Sequence, residues 1–281
     1  MNRSINKSLL DNILRYIGLA FFFFFTLIWL MPLIWIFLSS LKTYQETVQL
    51  PVQILPRNFY LGNFPELFNR LNYAVFFRNS VFVTACILTL QLTLSSLAAY
   101  AFARMEFPFR NQIFISLFIA MMVPLQMILI PRFRLILALG WVNTHMGVVF
   151  PSIFSVVLTF FIRQQILGLP RSLDESAYID GANHWIIFSR IVMPLCKSAI
   201  LATGLMCLVF AWNQFLWPLI VLSRPRLYTL SIGTALLQGM NDTRENLLMT
   251  AAFVVSMPII TIFLIAQRHF VLGVAMTGIK E

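Results

Sequence analysis

The chain has 281 residues, 59% of them hydrophobic and only 11% charged, with a mean hydropathy of +0.83. Soluble domains are nearer a quarter charged, so this composition excludes a soluble globular protein and points to an integral membrane protein. The net charge of +10 is spread over the segments between apolar blocks, which argues against nucleic-acid binding and fits contact with anionic lipid headgroups.

Six apolar blocks are each near the ~20 residues that cross a bilayer. They lie at about 17–39, 81–103, 111–131, 146–162, 198–222 and 247–266, and none carries Asp, Glu, Lys or Arg in its interior. The expected fold is an all-α membrane protein of six transmembrane helices in one domain, 1–281. Arg3, Lys7 and Arg15 precede the first block, which is too long for a signal-peptide core and is read as a retained span. The segment 41–79, with Pro51, Pro56 and Pro65, reads as an ordered extramembrane loop. Residues 104–110 form a short basic link, and 132–145 a short turn around Gly140. Residues 163–197 are a polar island, 223–245 a second polar loop with Gly239, Met240, Asn241 and Asp242 at its tip, and 268–281 a short tail. Pro32, Pro124, Pro151, Pro218 and Pro258 fall inside spans, where proline is tolerated if neighbours satisfy the freed carbonyl. Lys and Arg are only slightly more numerous on the side that holds both termini, so the positive-inside rule places the termini inside, but weakly.

Several chemistries are missing. Cys86, Cys196 and Cys207 lack Cys-x-x-Cys spacing, and His145, His184 and His269 are far apart, so no metal site is expected. None of the four lysines follows a glycine, so there is no phosphate-cradling P-loop. Ion-coupled carriers usually hold ionisable groups inside their spans. Here the span interiors have none, and uphill transport would draw its free energy from another subunit.

The island is the most informative segment. Ser172 and Glu175 have capping-box spacing, opening a helix whose first turn, with Asp174, suits the dipole. Asp180-Gly181 ends it, with Gly181 fitted to the left-handed position. Asn183 caps a second short helix that runs through Arg190 toward Pro194. Small residues Ser176 and Ala177 leave room beside the turn for a partner to approach. Glu175 is read both as a cap and as a charged contact.

Glu175-Ser176-Ala177, then Gly181 and Pro194, with Asp180 and Ala182, resembles the signature loop of permease subunits of ABC importers, in the carbohydrate-uptake, maltose-type branch. Tyr100-Ala101-Phe102-Ala103-Arg104, Gly140-Trp141-Val142-Asn143-Thr144, Ala211-Trp212-Asn213 with Phe215-Leu216-Trp217-Pro218-Leu219, and Thr277-Gly278-Ile279-Lys280 are similar to other segments of the same family. Ser176 replaces the first alanine of its pattern, Ser198 stands where a second proline is frequent, and Glu281 ends the tail where glycine is usual.

The resemblance implies a type I ABC importer permease bundle with a cytoplasmic coupling helix, in a bacterial or archaeal inner membrane, with both termini cytoplasmic. Leu173, Glu175, Ser176, Ala177, Asp180, Gly181 and Ala182 would dock to an ABC ATPase dimer. That partner, not this chain, would use ATP and Mg; the chain itself would be no enzyme and bind no cofactor or metal. A second, related permease would complete a heterodimer. An extracytoplasmic solute-binding protein would meet the tip Gly239–Asp242. The implied substrate is a sugar or oligosaccharide; the alternatives are a glycerol-phosphate-type solute, or an ion-coupled secondary carrier. Gln91, Gln126, Trp212, Asn213 and Gln214 are candidates for the pathway lining. The same residues fit interhelical hydrogen bonding, worth ~0.6–2 kcal/mol each.

Overall fold

The computed structural model describes residues 2–239 and 244–277, with side-chain surroundings for 14–239 and 244–267. Among them there is no β-strand. The most continuous apolar blocks become the longest helices: α1 (Asn2–Ser40), α4 (Tyr73–Arg104) and α14 (Glu245–Thr277). Pro32 and Pro258 sit inside α1 and α14 without breaking them.

The other three expected spans are not single helices. Helix α5 (Arg110–Met121) has 12 residues, ~18 Å at 1.5 Å per residue, short of the ~30 Å hydrocarbon core. Pro124 has no amide to continue it. The chain turns instead, with the Met127 and Ile128 amides donating to the Pro124 and Leu125 carbonyls at 3.0 and 3.2 Å. Helix α6 (Leu129–Ala138) follows, so the turn expected over 132–145 is helical through Ala138. Gly140, at φ +70°, closes it. Helix α7 (His145–Ser152) and α8 (Val156–Leu167) meet at a 42° bend just after Pro151. Ser155 restarts the ladder by accepting from the Leu158 amide at 3.3 Å. The fifth block divides into α11 (Lys197–Trp212) and α12 (Leu216–Val221). Among the described residues three helices are long and apolar enough to cross a membrane alone, and two bent pairs, α7 with α8 and His184–Leu195 with α11, pass the same test.

Contacts divide the chain into two units, 1–71 with 236–255 and 72–235 with 256–281. In the first, Asn63 is buried between α3 (Asn63–Arg70) and its neighbours. Its amide donates to the Ser40 and Lys42 carbonyls, both at 2.8 Å, and its carbonyl accepts from Asn246 at 2.7 Å. Phe253 packs on Phe37 and Phe64. Glu46, on α2 (Tyr44–Val48), accepts from the Thr43 and Arg57 amides, and the Thr43 bond above all holds its carboxyl below the usual range. In the most apolar stretch of α1 no residue is buried within the chain, as befits a helix whose neighbours are lipid or another chain.

In the second unit α4 runs along α8 and α11. Its buried face there is Ser95, Ser96, Ala99 and Ala103, small residues that let helix backbones approach closely. Two apolar cores result. One gathers Val83, Ile87, Ile136, Val148, Trp217 and Ile232; the other gathers Ala99, Tyr100, Ile162, Ile166, Ile187 and Cys196 beneath the polar island.

Candidate functional site

The polar island folds as two short helices on the ends of α4 and α8. Helix α9 is Ser172–Ile179 and α10 is His184–Leu195. The expected capping box is absent. Arg171, not Ser172, holds the cap position and no side chain caps it. The turn from Pro170 supplies the bonds instead, with the Asp174 and Glu175 amides both donating to the Arg171 carbonyl at 2.9 and 3.1 Å. Glu175 is thereby released from capping and stands exposed.

The other end is as expected. Gly181 has φ +81°, and the Ala182 and Gly181 amides donate to the Ala177 and Tyr178 carbonyls at 2.9 and 3.0 Å, the paired bonds of a Schellman stop. Asn183 Oδ1 accepts from the Ile186 amide at 2.9 Å and starts α10. A π-helical turn over Ile187–Val192 precedes Pro194. The bend from α10 into α11 is 80°, so α10 lies across the axis of the helix it feeds.

Side chains divide by face. Asp174 and Ala177 point inward, 8% exposed each. Leu173, Glu175, Ser176, Ile179, Asp180 and Gly181 are exposed, and Ala182 is half-buried. Ala177 is therefore a packing residue in the core beneath the island, and its smallness serves the close seat of α9 on that core.

Two features escaped the sequence reading. Asp174 pairs with Arg104, the last residue of α4, at 2.7 Å, and their side chains are 12% and 5% exposed. Arg104 also donates to the Leu169 carbonyl at 2.9 Å, tying both ends of the 169–174 segment to α4. His184 Nδ1 lies 2.7 Å from the Tyr178 hydroxyl and 3.2 Å from that of Tyr100, joining α9, α10 and α4. The available signal was a basic residue closing Tyr-Ala-Phe-Ala-Arg and an acid in the first turn of the island, 70 positions apart.

The candidate pathway residues scatter. Gln126 is exposed in the turn before α6. Trp212 is buried, edge-on to Phe77 at 6.1 Å. Asn213 is exposed and its amide donates back to the Val209 carbonyl at 2.9 Å. Gln214 joins a polar cluster, donating to Ser152 Oγ at 3.3 Å. Arg132 donates to the same hydroxyl at 3.2 Å, and Gln91 to the Ser152 carbonyl at 3.0 Å. Gln91, also a sequence candidate, joins the cluster, and Arg132, expected in a connecting turn, extends it beyond those candidates. Of the loop tip, Gly239 is exposed, while Met240, Asn241 and Asp242 lie outside the described residues.

Residues 91–275 match the family of binding-protein-dependent transport system inner membrane components. The chain belongs to this family. It is a multi-pass inner-membrane permease subunit of an ABC importer and not an enzyme, which sets aside the ion-coupled carrier. Among related permeases, one of an arabino-oligosaccharide transport system of Bacillus subtilis is 37% identical, covering 92% of this chain and 94% of the relative. An sn-glycerol-3-phosphate transport permease of Pectobacterium atrosepticum is 31% identical, covering 87% and 90%. The permease fold is shared with a chain of a bacterial ABC transporter involved in import of the acidic polysaccharide alginate, at TM-score 0.80, 20% identity, and coverage of 92% and 97%. The alginate transporter has also been crystallised with its pentasaccharide-bound periplasmic protein, and a chain of that complex matches at TM-score 0.67 and 15% identity.

Proposed function

We propose that this permease forms half of the translocation pathway for a sugar or oligosaccharide and is driven by a cytoplasmic ABC ATPase dimer seated on α9 and α10. The observation that carries the reading is the division of faces on α9. Its inner face is locked by the Arg104–Asp174 pair and Ala177, while Leu173, Glu175, Ser176, Ile179, Asp180 and Gly181 stand free. Ile179 is 87% exposed, an apolar side chain on a rigid helix that a protein partner would cover. A helix clamped on one side and open on the other transmits a pull to the bundle.

The rest of the assembly follows from that placement. The island and both termini are cytoplasmic, and six crossings are completed by α5 with its following turn, by α7 with α8, and by α11 with α12. A second, related permease supplies the other half of the pathway. The loop 223–245, with Gly239, Met240, Asn241 and Asp242, meets the solute-binding protein. ATP and Mg are held by the ATPase, and this chain carries no cofactor. The arabino-oligosaccharide relative supports a sugar; the glycerol-phosphate relative keeps that solute class as the second reading.

Glu175→Lys tests the docking face. The residue is exposed and caps nothing, so the change spares the fold. Co-purification of the ATPase should fall at least tenfold while the permease pair stays intact. Unchanged co-purification would remove Glu175 from the contact.

A further inference from the structure

The cluster around Ser152 has more hydrogen-bonding capacity than the chain uses. It lies where two helix breaks meet: Ser152 ends α7, and Gln214 occupies the gap between α11 and α12. Gln91, near the middle of α4, and Arg132, on α6, complete it. Part of the cluster is explained by the breaks themselves. The Ser152 carbonyl takes the Gln91 amide at 3.0 Å, and the Gln91 carbonyl lies 2.6 Å from Cys207 Sγ.

The remainder is not. Gln214 Oε1 is buried and has no hydrogen-bond partner among the described residues, a condition native proteins seldom leave uncompensated. Among the described residues the Arg132 side chain makes one hydrogen bond, to Ser152 Oγ, although a guanidinium offers five N–H donors. Its carbon lies 4.1 Å from the centroid of the Trp217 ring, which fixes the plane of the fork. Trp217 is itself held by a 3.1 Å bond to the Gly147 carbonyl. Among the described residues no carboxylate pairs with Arg132. Arg132 is half-buried. A guanidinium with so few partners is open to an acidic ligand, and interrupted helices are where transporters can build solute sites.

We propose that Arg132, Ser152 and Gln214 form a solute-binding site in this chain for a negatively charged sugar or polyol, Arg132 receiving the acidic oxygens and Gln214 Oε1 accepting from a neighbouring hydroxyl. The acidic group is a carboxylate or a phosphate, since both present oxygens to the same fork. The inference rests on the importer reading above and narrows its substrate class.

The test is uptake by proteoliposomes holding the complete transporter and its binding protein. The probes are an alginate trisaccharide, glycerol 3-phosphate and neutral arabinotriose. The wild type imports one of the two anionic probes, and which one tells carboxylate from phosphate. Arg132→Gln lowers that uptake at least tenfold through a raised KM, with ATPase co-purification unchanged. Arg132→Lys, which keeps the charge but not the fork, falls between. Should Arg132→Gln fail to assemble, Gln214→Glu decides: it keeps the volume, neutralises Arg132 from within, and reduces anionic uptake to the same degree. Import of arabinotriose alone, or anionic uptake equal to wild type in Arg132→Gln and Gln214→Glu, overturns the site. Import of no probe by a wild type that still holds its ATPase also overturns it and leaves the permease reading standing. A wild type that holds no ATPase removes that reading as well.

Discussion

Asp174 shows what a single residue of the island does and why the sequence hides it. On a helical wheel it is one more polar residue in a first turn, and its charge suits the dipole wherever it points. In the structure it is the inward anchor, closing on Arg104 at 2.7 Å. Removing one member of a buried ion pair leaves the other charge stranded, at a cost of ~3–5 kcal/mol. Asp174→Asn should therefore destabilise the purified permease by about that much, read as a lowered thermal midpoint, and detach α9 from α4. Glu175→Gln, one residue along but exposed, should stay within ~0.5 kcal/mol of wild type. Equal effects of the two would mean that the pair adds nothing. Gly181 and Asn183 were legible because their roles are local: a left-handed stop and an amide cap depend on atoms within a few residues. The Ser172 cap failed for a local reason too, since the turn from Pro170 already supplies the first bonds. Asp174 and Arg132 were not legible because their partners come from distant parts of the chain.

At the scale of elements, α1, α4 and α14 were readable from apolar length alone. The interrupted spans were not, because the same residue type gives opposite results. Pro32 and Pro258 ride inside continuous helices, whereas Pro124 and Pro151 stand at breaks. At the breaks the freed groups take other partners. Near Pro124 they fold into a tight turn, and at Ser152 the carbonyl is taken by Gln91 from α4. Composition does not show which neighbour will be there. The stop of α9 offers a test at this scale. A Cβ added to Gly181 meets nothing within 4 Å, so this chain has room for a side chain and resists one only through its φ of +81°. Gly181→Ala and Gly181→Leu should share a similar backbone cost of ~1–2 kcal/mol. If α9 is seated in a partner, Gly181→Leu should lose transport at least tenfold beyond Gly181→Ala. Equal losses would assign Gly181 to the helix stop only.

For the whole molecule, composition already pointed to a membrane protein, and the polar island gave the reason to look for a second protein. The structure adds how the island is attached. The island sits on an apolar core built from α4 and α8 and is tied to them by Arg104, Tyr100 and His184. Force on its outer face has a path into the bundle. The most direct measurement is purification of this permease from native membranes, with identification of the chains that accompany it. The account predicts an ABC ATPase, a second permease of the same family and, under mild conditions, a solute-binding protein, with the ATPase lost first in Glu175→Lys. A permease that emerges alone, stable and without ATPase would contradict it.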